Sequence, residues 1–355
     1  MKRLGYLVLT ALVLFNSCDK RGMNPDDVQN IDLDWPGFIW FGADIPTKTE
    51  TITNMKGRHF DVVAFKYGSD WNTFKATGTP ASSGETKGFS CPTEVSCDAN
   101  SGICTYKNNT DNNSVEWDGT MKYSFFAFYP VTGTQGVTLS STASTPGVPK
   151  ITYTVPSSND ADALPDVMTA SNIDVQNTGS GTVSLNFRHQ LSLLTVEARN
   201  LDKSDITISN LVLTITSKRY GSITIPLDGS AATPGNTVTN NFSFAMQGGE
   251  SVTVEEFGKN GTSENTVVSS KNITLIPQDP LIIGEELAGS LTFTYGHSGT
   301  SETKSETKSE TFSSNKKFEA GKKYAFVLNF ANDAVTIAII ESGEWIENRQ
   351  SIIFE

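Results

Sequence analysis

The sequence predicts an all-β protein made of two antiparallel β-sandwich domains in tandem, and three observations predict it. Short runs rich in β-branched and aromatic residues recur along the chain, bounded by clusters of Gly, Pro, Asn, Ser and Thr. Several of these runs alternate apolar with polar residues, the period of a strand with one buried face. No stretch keeps a helical period over three turns, so helices do not alternate with strands as they would around a parallel sheet. With 355 residues the chain has room for two domains, and 37% hydrophobic residues including 20 Phe supply packed cores.

Taken in order, residues 1–17 stand outside this fold. Lys2 and Arg3 precede an apolar run, Leu4 to Phe15, that is too short to span a bilayer as a mature helix. A charged start, a short apolar core and small residues before a cut describe an export signal. Cys18 at that cut is the mark of a bacterial lipoprotein, whose cysteine becomes the acylated N-terminus and holds the body to a membrane. Residues 18–36 have Gly22 and Pro25 but no apolar period, and read as a flexible tether.

The first domain is expected over residues 37–175. Its strands include Phe60–Phe65, Tyr123–Tyr129 and Ile151–Val155. A linker is expected at Asn172–Ser180, and the second domain over residues 176–355. There Val183–Phe187, Leu211–Ile215, Leu291–Tyr295 and Tyr324–Phe330 follow, and most of them alternate. The tandem repeat SETKSETKSET, Ser301 to Thr311, reads as a solvated hairpin loop, because its alternating Glu and Lys leave little net charge.

Charge and cysteines narrow the function. Without the signal the chain carries 25 basic against 39 acidic side chains, a net charge near −14. Such a surface repels phosphate backbones, so no nucleic-acid partner is expected. Cys91, Cys97 and Cys104 crowd one loop, and in an oxidising exported compartment two of them pair. The spacing does not choose the pair; Cys97–Cys104, with a turn between them, is preferred. Three thiolates with no histidine nearby make an incomplete zinc site, so no metal and no cofactor is expected.

Catalytic constellations are lacking as well. Among the three histidines, His189 in Phe187-Arg188-His189-Gln190-Leu191 reads as a partly buried, hydrogen-bonded side chain, while His59 and His297 lie beside turn residues without a nucleophile or metal-ligand companion at a useful spacing. No H-E-x-x-H, G-x-S-x-G or phosphate-binding glycine loop occurs, and the chain reads as a non-enzyme. Trp71 and Trp117, each preceded by an acidic residue, could be exposed platforms on which sugar rings stack, but the structural reading is preferred for both, with Trp117 in the core beside the Phe125–Pro130 phrase.

A set of phrases in fixed order resembles the fimbrillin family, the subunits and surface lipoproteins of type V pili in Gram-negative anaerobes. They are Ile39-Trp40-Phe41, Thr47-Lys48-Thr49, Trp117, Phe125-Phe126-Ala127-Phe128-Tyr129-Pro130 and Leu164–Ala170 in the first half. In the second half they are Leu185–Leu194, Leu275-Ile276-Pro277-Gln278, Ala320–Tyr324 and Trp345. The resemblance implies transthyretin-like sandwiches and a structural or adhesive role, with other pilus subunits as partners. It also implies assembly by strand exchange: a protease removes the first strand, and a neighbour's strand fills the groove.

The removable strand is then Gly37–Ile45, with Ile39, Phe41, Ala43 and Ile45 at alternate positions. The scissile bond follows Lys48, where the family pattern has Arg, or Arg58. At the other end Ile352, Ile353 and Phe354 form a candidate donor segment, or else complete their own domain's sheet. The alternative function is a non-polymerising surface lipoprotein that binds a glycan or another host or bacterial surface ligand.

Overall fold

A computed structural model of the chain describes residues 40–44, 55–77, 93–106, 119–139, 148–156, 164–176, 182–239, 241–245, 251–259, 265–269, 273–297, 306–331 and 334–344. In chain order the elements are β1 (Trp40–Asp44), β2 (His59–Tyr67), α1 (Trp71–Thr77), β3 (Thr93–Cys97), β4 (Cys104–Tyr106), β5 (Lys122–Tyr129), β6 (Val137–Leu139), β7 (Lys150–Thr154) and β8 (Met168–Val175). Next come β9 (Thr182–Asn186), β10 (Arg188–His189), β11 (Ser192–Asn200), β12 (Ile206–Ile215), β13 (Arg219–Tyr220), β14 (Ser222–Pro226), β15 (Thr233–Pro234), β16 (Thr237–Val238), β17 (Phe242–Ala245) and β18 (Ser251–Val254). The last are β19 (Thr266–Val267), β20 (Ile273–Leu275), α2 (Pro280–Ile283), β21 (Leu287–His297), β22 (Glu306–Ser314), β23 (Lys322–Ala331) and β24 (Ala334–Glu344). The chain is all-β, with mainly antiparallel sheets. Among the described strands two pairings are parallel, β1 with β9 and β11 with β23.

The first large sheet has eight strands in the order β10-β8-β5-β2-β3-β4-β1-β9. Its two end strands are consecutive in the chain and separated only by Phe187. The sheet therefore curls until its ends meet at one residue. Inside the curl lies one apolar core, with Phe60 and Val62 from β2, Phe125 from β5, Val183 and Leu185 from β9, and Phe187 itself. The ring of Phe187 meets that of Phe60 edge to face at 5.1 Å between centroids.

The outer face of the same strands is also buried. Val63, Phe65 and Tyr67 of β2 and Phe126 and Phe128 of β5 pack against α1, against the four-stranded sheet β15-β14-β7-β6, and against Leu191, Leu193 and Ile276. This explains the unbroken apolar run at Phe125–Phe128, since both sides of β5 face a core. A polar knot holds α1 in place. The Tyr67 hydroxyl hydrogen-bonds with the Ser124 hydroxyl and donates to Asp174 at 3.0 Å. Asp174 also accepts from the backbone N–H of Trp71 at 2.9 Å. The Tyr67 phenol is pushed well above its ordinary range by burial.

The C-terminal sandwich faces sheet β19-β11-β23-β24 (with β20 on β11) against sheet β17-β12-β21-β22 (with β18 on β12). Leu194, Val196, Leu213, Phe293, Phe326 and Phe330 are among its core residues. In the second of these sheets β12 and β21 alternate buried with less buried positions, whereas β11 and β23 of the first are buried along most of their length. Thr292 and Thr294 on the open face of β21 hydrogen-bond Ser309 and Thr307 of β22, each at 3.1 Å. Gly289 lies in a crowded part of the sheet: a Cβ there would run into the Thr214 carbonyl and the Phe312 ring.

Two expectations need correction. The repeat at Ser301–Thr311 is not simply a loop, because residues 306–311 lie in β22 and pair with β21 from Tyr295↔Glu306 to Ser290↔Thr311. Thr and Ser at every second position suit a strand with one solvated face, and Phe312 anchors the strand in the core. The expected linker Asn172–Ser180 begins inside β8: Asn172 pairs with Phe125, and its side-chain amide donates to the Ser184 carbonyl. Residues 177–181 lie outside the described residues. The expected junction at 175/176 falls between β8 and β9, two strands of one sheet, and β14 pairs with β7 across it.

Candidate functional site

The site sits where β1 enters the eight-stranded sheet. β1 pairs with β9 in parallel over its whole length, from Trp40↔Thr182 to Asp44↔Asn186. On its other side it meets β4 antiparallel at Phe41↔Cys104. It is thus an interior strand of the curled sheet, and both neighbours direct backbone groups at it. Positions 41 and 43 share register rows with Val183 and Leu185, which are buried in the inner core. Ile39 and Ile45, the outer members of the expected removable strand, lie outside the described residues.

The two walls are built differently. β9 runs through Phe187 into β10, which pairs with β8. β4 is three residues long and is held by β3, with Cys97 opposite Cys104. A disulfide joins Cys97 and Cys104. The turn between them is fixed by Asp98, whose carboxylate accepts from the backbone N–H groups of Asn100 and Ser101 and from the Ser101 hydroxyl at 3.0, 2.7 and 2.9 Å. The hydrogen bonds from Ser101, backbone first and then hydroxyl, hold the Asp98 carboxyl below its ordinary range. Lys56 closes over the turn, donating to the Asn100 carbonyl at 3.2 Å. Gly57, at φ 68°, donates its N–H to the Cys97 carbonyl at 2.9 Å.

Arg58 is woven into this same wall. Its carbonyl accepts from the Cys97 N–H at 2.9 Å, and its guanidinium donates to the Tyr129 hydroxyl at 3.3 Å. The Arg58–His59 bond leads directly into β2, where His59 pairs with Ser96. A protease needs an extended, unpaired substrate, and this bond is already engaged. Lys48, Cys18, Cys91, Trp117 and the segment Ile352, Ile353 and Phe354 all lie outside the described residues.

Trp71 is not a platform for sugars. It is 3% exposed and packs against Phe65, Tyr67, Phe74 and Phe126 under α1, because a large ring beside two aromatic strands is best removed from water there. Each of the three histidines has a partner among the described residues. His189 and Asp166 form a buried pair at 2.8 Å between Nδ1 and Oδ1, which ties β10 to the segment before β8. His297 hydrogen-bonds Ser204 at 2.9 Å, and His59 lies 3.4 Å from Glu94. Among the described residues no group of three or more metal-ligating side chains occurs, and no helix is long and apolar enough to cross a membrane.

Sequence reasoning did not find the parallel partner of β1. The alternation Val183-Ser184-Leu185-Asn186-Phe187 marks β9 as a strand, but alternation carries no information about which strand lies beside it. Nor did it foresee that Cys104 would stand directly opposite Phe41.

Comparisons place this geometry among known folds. A fimbrial protein from Bacteroides vulgatus ATCC 8482 superposes with a TM-score of 0.60 at 18% identity, covering 86% of this chain and 99% of that one. A protein described as a cell adhesion protein, from Bacteroides ovatus ATCC 8483, superposes with a TM-score of 0.50 at 15% identity, covering 88% and 99%. At these identities the likeness concerns the fold alone. No curated protein matches the sequence. The model of the fimbrillin-like family matches residues 52–345, most of the chain, and the protein belongs to that family.

Proposed function

We propose that this protein is a structural or adhesive subunit of a type V-like pilus. It is exported as a lipoprotein on Cys18 and assembled by strand exchange once its first strand is removed. The observation that carries the reading is the place of β1: an interior strand, at the N-terminal end of the described chain, with a neighbour on each side. Its departure leaves two backbone edges and the apolar rows of Val183 and Leu185 open together. An extended segment from another subunit satisfies both, through ladder hydrogen bonds and alternate side chains.

Lys48 is the cleavage point favoured by this reading, because the Arg58 bond is already paired within the sheet. The segment Ile352-Ile353-Phe354 is the proposed donor. The first body includes β9 and β10, since both pair with strands of the first half, and that supports a boundary after His189 rather than at 175/176. Other pilus subunits are the partners, the lipid on Cys18 is the tie to the outer membrane, and no catalytic role is assigned.

Limited trypsin digestion of the purified chain, followed by intact-mass measurement and gel filtration, tests the proposal. Cleavage after Lys48 with growth of oligomers is expected. A trimmed chain that stays monomeric and is retarded by polysaccharide in a gel would instead establish the ligand-binding alternative. A chain uncut at Lys48 would sink the processing step.

A further inference from the structure

We infer that the Cys97–Cys104 disulfide is the brace that keeps the acceptor groove open-ready, by holding β4 in place as one wall after β1 has gone. The inference rests on the strand-exchange reading above. It adds to that reading a specific determinant of how well the groove receives its partner, an extended apolar segment of a second copy of this chain.

The asymmetry of the two walls carries the argument. When β1 leaves, β9 loses one neighbour but stays tethered by Phe187 in the inner core and by the pairing of β10 with β8. The Asn172 side chain also still donates to the Ser184 carbonyl at 3.1 Å. β4 also reaches the inner core, through Cys104, but it is the weaker wall. It is three residues long, its remaining ladder partner is β3, and it becomes the outermost strand on its side of the gap. A terminal strand of that length frays unless it is tied down.

The disulfide ties it at the residue that faces the vacated position, since Cys104 is both the partner of Cys97 and the register partner of Phe41. Cys97 is itself held on the far side by the Arg58 carbonyl and the Gly57 N–H. The bond therefore links the rim of the groove, through Cys97, to the start of β2 and so to the strands buried between two cores. A wall fixed in advance spares the incoming strand the entropy of ordering it.

The test uses the trypsin-trimmed chain and a fluorescent synthetic peptide with the sequence of residues 37–47. Binding is followed by anisotropy for the wild type and for the double substitution Cys97→Ser/Cys104→Ser, both carrying Cys91→Ser. Saturable binding is expected for the disulfide-bonded chain, and a dissociation constant about tenfold higher or more without the bond. Hydrogen exchange at Val95 and Thr105 should rise in the same comparison, while the C-terminal sandwich keeps its protection. Should the double substitution fail to fold, the trimmed disulfide-bonded chain is reduced after trimming and compared with itself. Equal affinity with and without the bond would overturn the bracing role and leave strand exchange standing. Absence of binding in both forms would overturn strand exchange together with it.

Discussion

β5 and β21 are central strands of the same protein, yet they obey different rules. β5 reads Tyr-Ser-Phe-Phe-Ala-Phe-Tyr and is buried on both faces, with Phe125 in the inner core of the curled sheet and Phe126 in the layer above it. β21 reads Leu-Thr-Phe-Thr-Tyr at its centre, with Phe293 in the sandwich core and Thr292 and Thr294 on the open face. The contrast shows where the molecule is mechanically one piece. A strand that serves two cores couples them, while a strand that serves one core leaves its other face free to vary.

Substitutions on these two strands give the largest separation. Phe126→Ala removes a ring that touches Phe65 and Trp71, and should cost about 3–5 kcal/mol in denaturant unfolding. Phe125→Ala, one residue earlier, should cost about as much, because its neighbour's loss does not spare it. On β21 only every second position should behave this way. A small effect at either Phe125 or Phe126 would break the claim that β5 is doubly buried.

The hairpin that flanks β1 comes next. Loss of the Cys97–Cys104 bond, which closes a short loop, should lower stability by about 2–3 kcal/mol in thermal or denaturant unfolding. Gly289→Ala probes crowding on the sandwich side. Overpacking against Thr214 and Phe312 should cost about 1–3 kcal/mol, a large effect for a single methyl group. Thr292→Ala, three residues on, should change stability by less than about 0.5 kcal/mol. If the two proved equal, the open face of β21 would be more constrained than its hydroxyl ladder implies.

The smallest effect is a dependence on pH. The Asp98 carboxyl lies below its ordinary value in the folded chain, so its contribution is complete above the unfolded value of about 3.9 and is lost as pH falls through the folded one. Relative to Asp98→Asn, the wild type should hold a small advantage in melting temperature at neutral pH that shrinks in acid. A gap between the two that stayed constant from neutral pH into strong acid would show that the Asp98 charge plays no part in fixing the turn.

Most of the strands were legible in the sequence because alternation and β-branched content are local signals. Phe125–Phe128, Val183–Phe187, Leu211–Ile215 and Leu291–Tyr295 all lie in or against strands. What was not legible is pairing. Nothing in Trp40–Asp44 announces that its partner is Thr182–Asn186, more than a hundred residues away, or that the two run parallel. The sequence left a surface-platform reading open for Trp71 for the same reason, since its burial depends on Phe65 and Phe126 from two other strands. The repeat ending at Thr311 was misjudged from its polarity. A strand with one wet face and one anchoring Phe312 needs little apolar content of its own.

Phe187 has a last consequence, one of counting. Because the two ends of the eight-stranded sheet are adjoining stretches of chain on either side of this residue, the circumference of the curl is fixed by covalent connection. On the proposed reading, removal of β1 opens a gap between β4 and β9, one edge held by the Cys97–Cys104 bond and the other by the chain through Phe187. Neighbouring strands lie about 4.8 Å apart, so that gap is one strand wide. On the strand-exchange reading proposed above, each subunit accepts a single successor, and a polymer built this way is a linear, unbranched file with one direction.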